Sequence, residues 1–294
     1  MSVRLSRTPA FFWRAFLLCG LFAAAARGAA PAGPRPELAQ VGKPDAREAA
    51  RLVEEFRAAG LPGEYYLEFQ VRQLPRRGAA GTALKGRWWG SRTAEGPVLR
   101  IELTDAAGVP HRILLENGPE ARAWRLHEGR PVKLDVAGLM APLVPGIEIA
   151  AFDLQMPFLY WPNPTVDRIA RSDFGRPSYR FVFPAPPDFQ AQFAGIGAAR
   201  AYLDTQYNVP TQTEVLAPDG RLLKSLALLS LQNVKGQALP KSVDYRNELS
   251  RDKTRLLVTA AALNLDLPPG LFRPEGLGQA GAVPDPAGIV RFEP

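Results

Sequence analysis

Cysteine is nearly absent: Cys19 is the single one in 294 residues, so no disulfide framework and no thiolate metal site can form within the chain. Histidine is almost as scarce. His111 and His127 both fall near predicted strand ends with no Cys, Asp or Glu at ligand spacing, so a zinc site built on them would be undersupplied. There is no Gly-x-Ser-x-Gly elbow and no Gly-x-x-x-x-Gly-Lys phosphate loop. Gly195-Ile196-Gly197-Ala198-Ala199-Arg200 begins like a dinucleotide loop but lacks its third glycine and a preceding buried strand, and it reads as a flexible connection. The carboxylates are spread along strands among basic neighbours, as salt-bridged strand faces are. These absences argue against an enzyme, and no cofactor or metal is implied.

Long apolar runs are also missing. The longest uncharged stretch near the start, 15–26, is well short of the ~20 residues needed to cross a bilayer. It follows the basic residues Arg4, Arg7 and Arg14 and precedes the small residues 26–30, so 1–30 reads as a secretory signal peptide that leaves no transmembrane span once cleaved. Cys19 would leave with it. Phe16-Leu17-Leu18 before Cys19 do not suit a lipoprotein signal, which needs a small residue there. The formal charge of +7 shrinks on removal of Arg4, Arg7, Arg14 and Arg27: 36 basic residues less these four is 32, against 29 acidic. A balance of +3 with no basic stripe is a poor footprint for nucleic acid. The expectation from this segment is a soluble exported protein.

What is present is punctuation. The 29 Pro and 26 Gly are distributed along the chain, which favours many turns and few long helices. Residues 31–44 are a Pro- and Ala-rich linker. Asp45 and Glu48 form a capping-box pattern ahead of a helix whose stripe is Ala49, Leu52, Val53 and Phe56, ended by Gly60 and Pro62. Strands follow at 65–72, 84–91, 98–104, 111–116 and 121–127, and a meander of antiparallel neighbours is the simplest topology. A later group fills 201–266, with a hairpin at Pro218-Asp219-Gly220 and alternation of Val243, Tyr245 and Leu249 against polar residues. Leu222-Leu223, Leu228-Leu229-Ser230-Leu231 and Leu256-Leu257-Val258 place apolar side chains on both faces, so something must cover the second face. Residues 193–200 read as a connection, and 278–294 as a loose tail.

Residues 139–161 break the strand pattern. They are almost uncharged and interrupted by Pro142, Pro145 and Pro157, too broken for one helix and too apolar for a solvent loop. One or two short helical pieces lying over the sheet are expected. With them goes an aromatic surplus. Trp88 and Trp89 are adjacent on one strand and must point to opposite faces. Either both faces are packed, or an apolar pocket lies between a curved sheet and the 139–161 lid. The candidate pocket residues are Trp88, Trp89, Leu139, Leu143, Val144, Phe152, Phe158, Leu159, Tyr160 and Trp161.

The layout and several short motifs resemble the LolA/LolB superfamily of bacterial lipoprotein carriers, in particular outer membrane lipoprotein-sorting proteins. The motifs are Pro157-Phe158-Leu159-Tyr160-Trp161 leading to Tyr179-Arg180-Phe181; Val234-Lys235-Gly236; Leu239-Pro240-Lys241-Ser242-Val243; Thr254-Arg255-Leu256-Leu257-Val258; Leu263-Asn264; and Leu271-Phe272. Coverage runs over about 47–277 of a domain expected at 45–277. The resemblance implies an unclosed antiparallel β-barrel covered on its concave side by short helices, enclosing a cavity for lipoprotein acyl chains or lipid. It implies a monomer in the periplasm of a Gram-negative bacterium, passing its client between inner- and outer-membrane transport complexes. In soluble carriers a strand arginine closes the lid by bonding its backbone, and Arg72 and Arg87 are the candidates here. The alternative is an envelope structural or sensing module of the same fold, filled by its own side chains and binding a protein partner.

Overall fold

A computed structural model describes residues 42–61 and 63–293; the expected signal peptide, Cys19 and most of the linker lie outside them. The chain is mostly β. It begins with helix α1 (Ala46–Ala58), capped as the sequence predicts by the Asp45 carboxylate accepting from Glu48 N at 2.8 Å. Val53 and Phe56 bury its apolar stripe. At its other end Arg92 donates to the Arg57 and Ala59 carbonyls at 2.6 and 2.7 Å, which satisfies helix-terminal oxygens.

Two antiparallel meanders make up the sheet. The first is β1 (Glu64–Leu74), β2 (Leu84–Arg92), β3 (Pro97–Thr104), β4 (Pro110–Glu116), β5 (Arg122–His127) and β6 (Arg130–Lys133). The second is β7 (Thr165–Arg171), β8 (Pro177–Pro184), β9 (Ala198–Asp204), β10 (Pro210–Leu216), β11 (Leu222–Val234), β12 (Gln237–Asn247) and β13 (Lys253–Leu265). Each strand pairs with its chain neighbours, and β1 joins β13 to fuse the meanders into one curved, unclosed sheet ordered 6-5-4-3-2-1-13-12-11-10-9-8-7. A short β14 (Val290–Arg291) pairs with β13.

This order places β6 and β7 at opposite edges although they are consecutive in the chain. The connection, 134–164, therefore has to travel from one edge to the other, and it does so across the concave face. We call it the strap. It carries α2 (Val136–Met140), α3 (Ala151–Gln155) and a 3-10 turn over Pro157–Tyr160, matching the expected broken helical pieces. The prolines keep these pieces short.

Register assigns the faces. Tyr65, Leu67, Phe69 and Val71 of β1, Trp88 of β2 and Leu99 and Ile101 of β3 share the concave face. Gly90 lies opposite Tyr65, whose ring covers it so closely that an added Cβ would sit 2.0 Å from Tyr65 Cζ. The bare backbone there is what lets an aromatic ring lie across the neighbouring strand.

Four expectations need correction. Residues 193–200 are not all connection, since β9 begins at Ala198. β12 ends at Asn247, so Leu249 leaves the strand and is 67% exposed in the following turn. The second face of β11 is not fully covered, and Leu229 is 42% exposed. Residues 278–294 are not a loose tail: Gly281 and Ala282 are hydrogen-bonded to Glu102 and Trp89 on the convex face, and Val290–Arg291 pair with β13. Pattern reading missed this last point because the tail's grip runs through its backbone, which carries no residue-type signal.

Candidate functional site

The site is the concave face and the strap lying on it. From the strap, Leu143, Val144, Phe152, Phe158, Leu159 and Trp161 all enter the main core, and Leu139 and Tyr160 pack against it half-buried. Phe152 and Phe158 stand 5.7 Å apart between ring centroids, with Trp161 against both and Phe189 of α4 (Pro187–Gln192) closing the group. From the sheet, Trp88 joins the same core, edge-on to Phe69 at 6.2 Å. The ten candidate residues thus come together save one. Trp89 is on the convex face, fully buried beside Tyr66, Ala262, Leu267 and Leu271.

Polar side chains reach up from the sheet and from α1 to hold the strap by its backbone. Arg57 at the last turn of α1 donates from Nε to Leu159 O at 2.9 Å and from Nη2 to Trp161 O at 3.1 Å, and lies over the Tyr160 ring. Lys224 of β11 pairs with Asp153 at 2.9 Å and reaches Glu148 O at 3.3 Å. Thr254 Oγ1 accepts from Glu148 N, while Asn247 donates to the Glu148 carboxylate at 2.9 Å. At the other end Gln155 Nε2 donates to the Glu116 and Arg122 carbonyls at 2.7 and 2.9 Å. Asp153 also accepts from Ala150 N, closing the first turn of α3.

Arg72 and Arg87 do not hold the strap. Both alternate with inward residues, Val71 and Trp88, and so point out of the convex face, where they are exposed. Arg57 has the contacts expected of a strap-locking arginine. Its signal in the sequence was slight: it follows Phe56, the last buried residue of the α1 stripe, on the border between the apolar and polar sides.

Little space is left under the strap. One cavity of about 20 Å³ lies between Phe158, Asp153 and Glu148 of the strap and Val215, Leu226 and Tyr245 of the sheet. A second of about 20 Å³ lies on the sheet floor between Trp88, Leu67 and Val258. Each has room for about one water molecule. Outside the first, a groove of about 540 Å³ opens between Met140, Phe193, Leu223 and Leu249, and it shares Val215, Lys224 and Asn247 with the inner cavity.

The convex face is covered differently. Trp89 Nε1 donates to Ala282 O at 2.7 Å, and Gly281 packs on the indole so tightly that a Cβ there would lie 2.5 Å from Trp89 Cζ2. Arg100, 1% exposed, donates to Gly276 O at 3.0 Å, to Gln279 O, and to Glu102 at 2.8 Å. Arg112 adds a bond to Gly278 O at 2.7 Å. Tyr66 Oη donates to Glu68 at 3.2 Å, and burial, reinforced by the Glu68 charge, pushes its pKa up to about 12.

Comparison with solved structures places the architecture. The chain is similar to a domain from Vibrio parahaemolyticus described as an outer membrane lipoprotein-sorting protein (TM-score 0.63, 13% identity, 74% of this chain and 92% of that one). It is similar to a DUF1329 family protein from Desulfovibrio piger (TM-score 0.61, 12% identity, 78% and 95%). A LolA superfamily protein from Nitrosomonas europaea matches with TM-score 0.57 and 18% identity over 76% and 97%. No protein-family model and no curated protein matches the sequence. The fold is LolA-like: an open, curved antiparallel sheet with its concave face covered by short helices.

Proposed function

We propose that the protein is a non-enzymatic carrier that shelters the acyl chains of a lipoprotein or lipid between the concave face and a strap that lifts to admit them. The observation that carries this reading is how the strap is attached. Its underside is apolar, interchangeable in chemistry with a hydrocarbon chain, while its specific bonds are made by polar side chains such as Arg57, Lys224, Thr254, Asn247 and Gln155 and not by strand pairing with the sheet. Such a cover can be exchanged for a ligand of like chemistry at modest free-energy difference, since acyl methylenes entering the concave face would be buried at about 25 cal/mol per Å². The open groove that shares residues with the inner cavity supplies an apolar approach. The LolA-like fold, shared with a domain described as lipoprotein-sorting, supports the same client class. In this reading the protein works as a monomer in the periplasm, after export, and passes its client between membrane complexes. No helix among the described residues is long and apolar enough to cross a membrane.

One observation favours the second reading, a module that is filled by its own side chains and binds a protein partner: the spaces beneath the strap are each only about 20 Å³. Organic extraction and native mass spectrometry of the mature protein purified from its own envelope separate the two. A co-purifying acyl lipid, with uptake of a fluorescent fatty-acyl probe by the delipidated protein, is the expected result. A protein that carries no lipid and takes up no probe would leave the partner-binding module.

A further inference from the structure

Two adjacent tryptophans differ in one respect that bears on the ligand. Trp89 gives its indole N–H to Ala282 O. Trp88 is 4% exposed, yet its Nε1 is buried and meets no hydrogen-bond acceptor among the described residues. Buried indole N–H groups normally find a partner, and a donor left unmet in the core is destabilising. The Trp88 ring is fixed by its edge-on contact with Phe69 and lines the cavity on the sheet floor, whose walls are chiefly aliphatic: Leu67, Val243, Leu256 and Val258, with Tyr65 and Tyr245 beside them. A phenylalanine would fill an apolar floor without carrying an unmet donor. A water could fit by volume, and it needs two to four polar partners; besides the indole, the polar side chains in these walls are Tyr65 and Tyr245.

We propose that this donor is met by the ligand: Trp88 Nε1–H binds the ester or amide carbonyl that joins an acyl chain to its headgroup or protein. The proposal rests on the carrier reading and narrows it, because plain hydrocarbon has no acceptor to offer. It makes Trp88 the residue that sets how deep the chain is drawn, with the carbonyl held at the middle of the sheet and the methylenes running over the apolar face. Recognition is by the linkage, so free alkanes and ether-linked chains of equal length are poorer ligands than ester-linked ones.

The test uses an ester-linked lysophospholipid and its ether-linked analogue of the same chain length and headgroup, titrated into the mature protein below their micellar concentrations. The wild type should bind the ester about fivefold more tightly, the difference of one net hydrogen bond. Trp88→Phe should erase that preference, so that the ester and the ether bind the variant equally. If the variant fails to fold, the wild type still decides: the Trp88 indole N–H resonance in a nitrogen-15 correlation spectrum should move downfield with the ester and not with the ether. Equal affinities, with the indole resonance unmoved by the ester, would overturn the proposal and leave the carrier reading standing. Binding of neither lipid would remove both.

Discussion

The two faces of this one sheet carry two different kinds of cover. Trp88 and Trp89, neighbours on β2, are both buried, the first in the core that the strap covers and the second under the C-terminal segment. The strap gives the sheet side chains, among them Phe152, Phe158 and Leu159, and is tied down by polar side chains, with Arg57 on Leu159 O, Lys224 on Asp153 and Gln155 on Arg122 O. The tail gives the sheet its backbone, whose carbonyls are taken up by the buried Arg100, by Arg112 and by Trp89. A hydrocarbon can stand in for the strap's contribution. Nothing of that kind can stand in for the tail's, because removing those carbonyls strands a buried guanidinium. On the carrier reading the concave cover is the one exchanged for ligand and the convex cover the one that stays.

The sharpest way to break the comparison is at the tail. Arg100→Met leaves two tail carbonyls, Gly276 O and Gln279 O, without their donor and Glu102 with only Arg112 and the Gly281 N–H, so urea unfolding should show a loss of about 3 kcal/mol, and the whole domain should weaken with it. On the strap, Phe158→Glu places a carboxylate among Phe152 and Trp161, but on the carrier reading the strap lifts and lets water reach the charge. The loss is then limited to the strap's own opening free energy, about 2–3 kcal/mol within the range of local openings. Circular dichroism should show a folded sheet, limited proteolysis should cut within 139–161, and acyl-probe uptake should fall. An unfolded variant, or a folded one that binds normally, would contradict this.

Alkali should find the convex side. Tyr66 has a folded pKa of about 12, raised above its ordinary 10, so it stabilises the neutral form and its contribution is fully present below pH 10. That contribution is lost as pH rises from 10 towards 12, by about 2 kcal/mol at the upper end at 1.36 kcal/mol per pKa unit. Tyr66→Phe should flatten that part of the stability profile. The smallest effect belongs to the strap's lock. Arg57→Gln removes the bonds to Leu159 O and Trp161 O, worth about 1 kcal/mol together in opening free energy, so the strap should open about fivefold more often and probe uptake should speed up with little change in global stability.

Much of this was legible in the sequence. The capped first helix, the meander, the Asp219-Gly220 hairpin and the Pro-broken insert rest on strong local signals of capping, period and turn chemistry. Parity alone sends Trp88 and Trp89 to opposite faces. What parity does not reveal is what covers each face. The edge strands β6 and β7 are short, and the exposed or polar Arg130, Lys133, Asp167 and Arg168 mask their pattern, so the crossing that the strap must make was hidden until the pairing order was known. Arg72 and Arg87 were offered as strap-locking residues because they lie on strands, and their parity places them on the wrong face. Arg57 was overlooked because it lies on a helix. The tail's hold, made by backbone carbonyls, leaves no trace in residue type.

Hydrogen exchange on the mature protein, with and without an ester-linked lysophospholipid, compares the two covers directly. The amides of Met156, Leu159 and Trp161, bonded within the strap, should exchange through an opening of lower free energy than Gly281, whose N–H is bonded to the Glu102 carboxylate on the convex side, and added lipid should alter protection in 134–164 while leaving 268–282 unchanged. Strap and tail amides that exchange together at the rate of global unfolding, with neither touched by lipid, would contradict the claim that the concave cover is the one that moves.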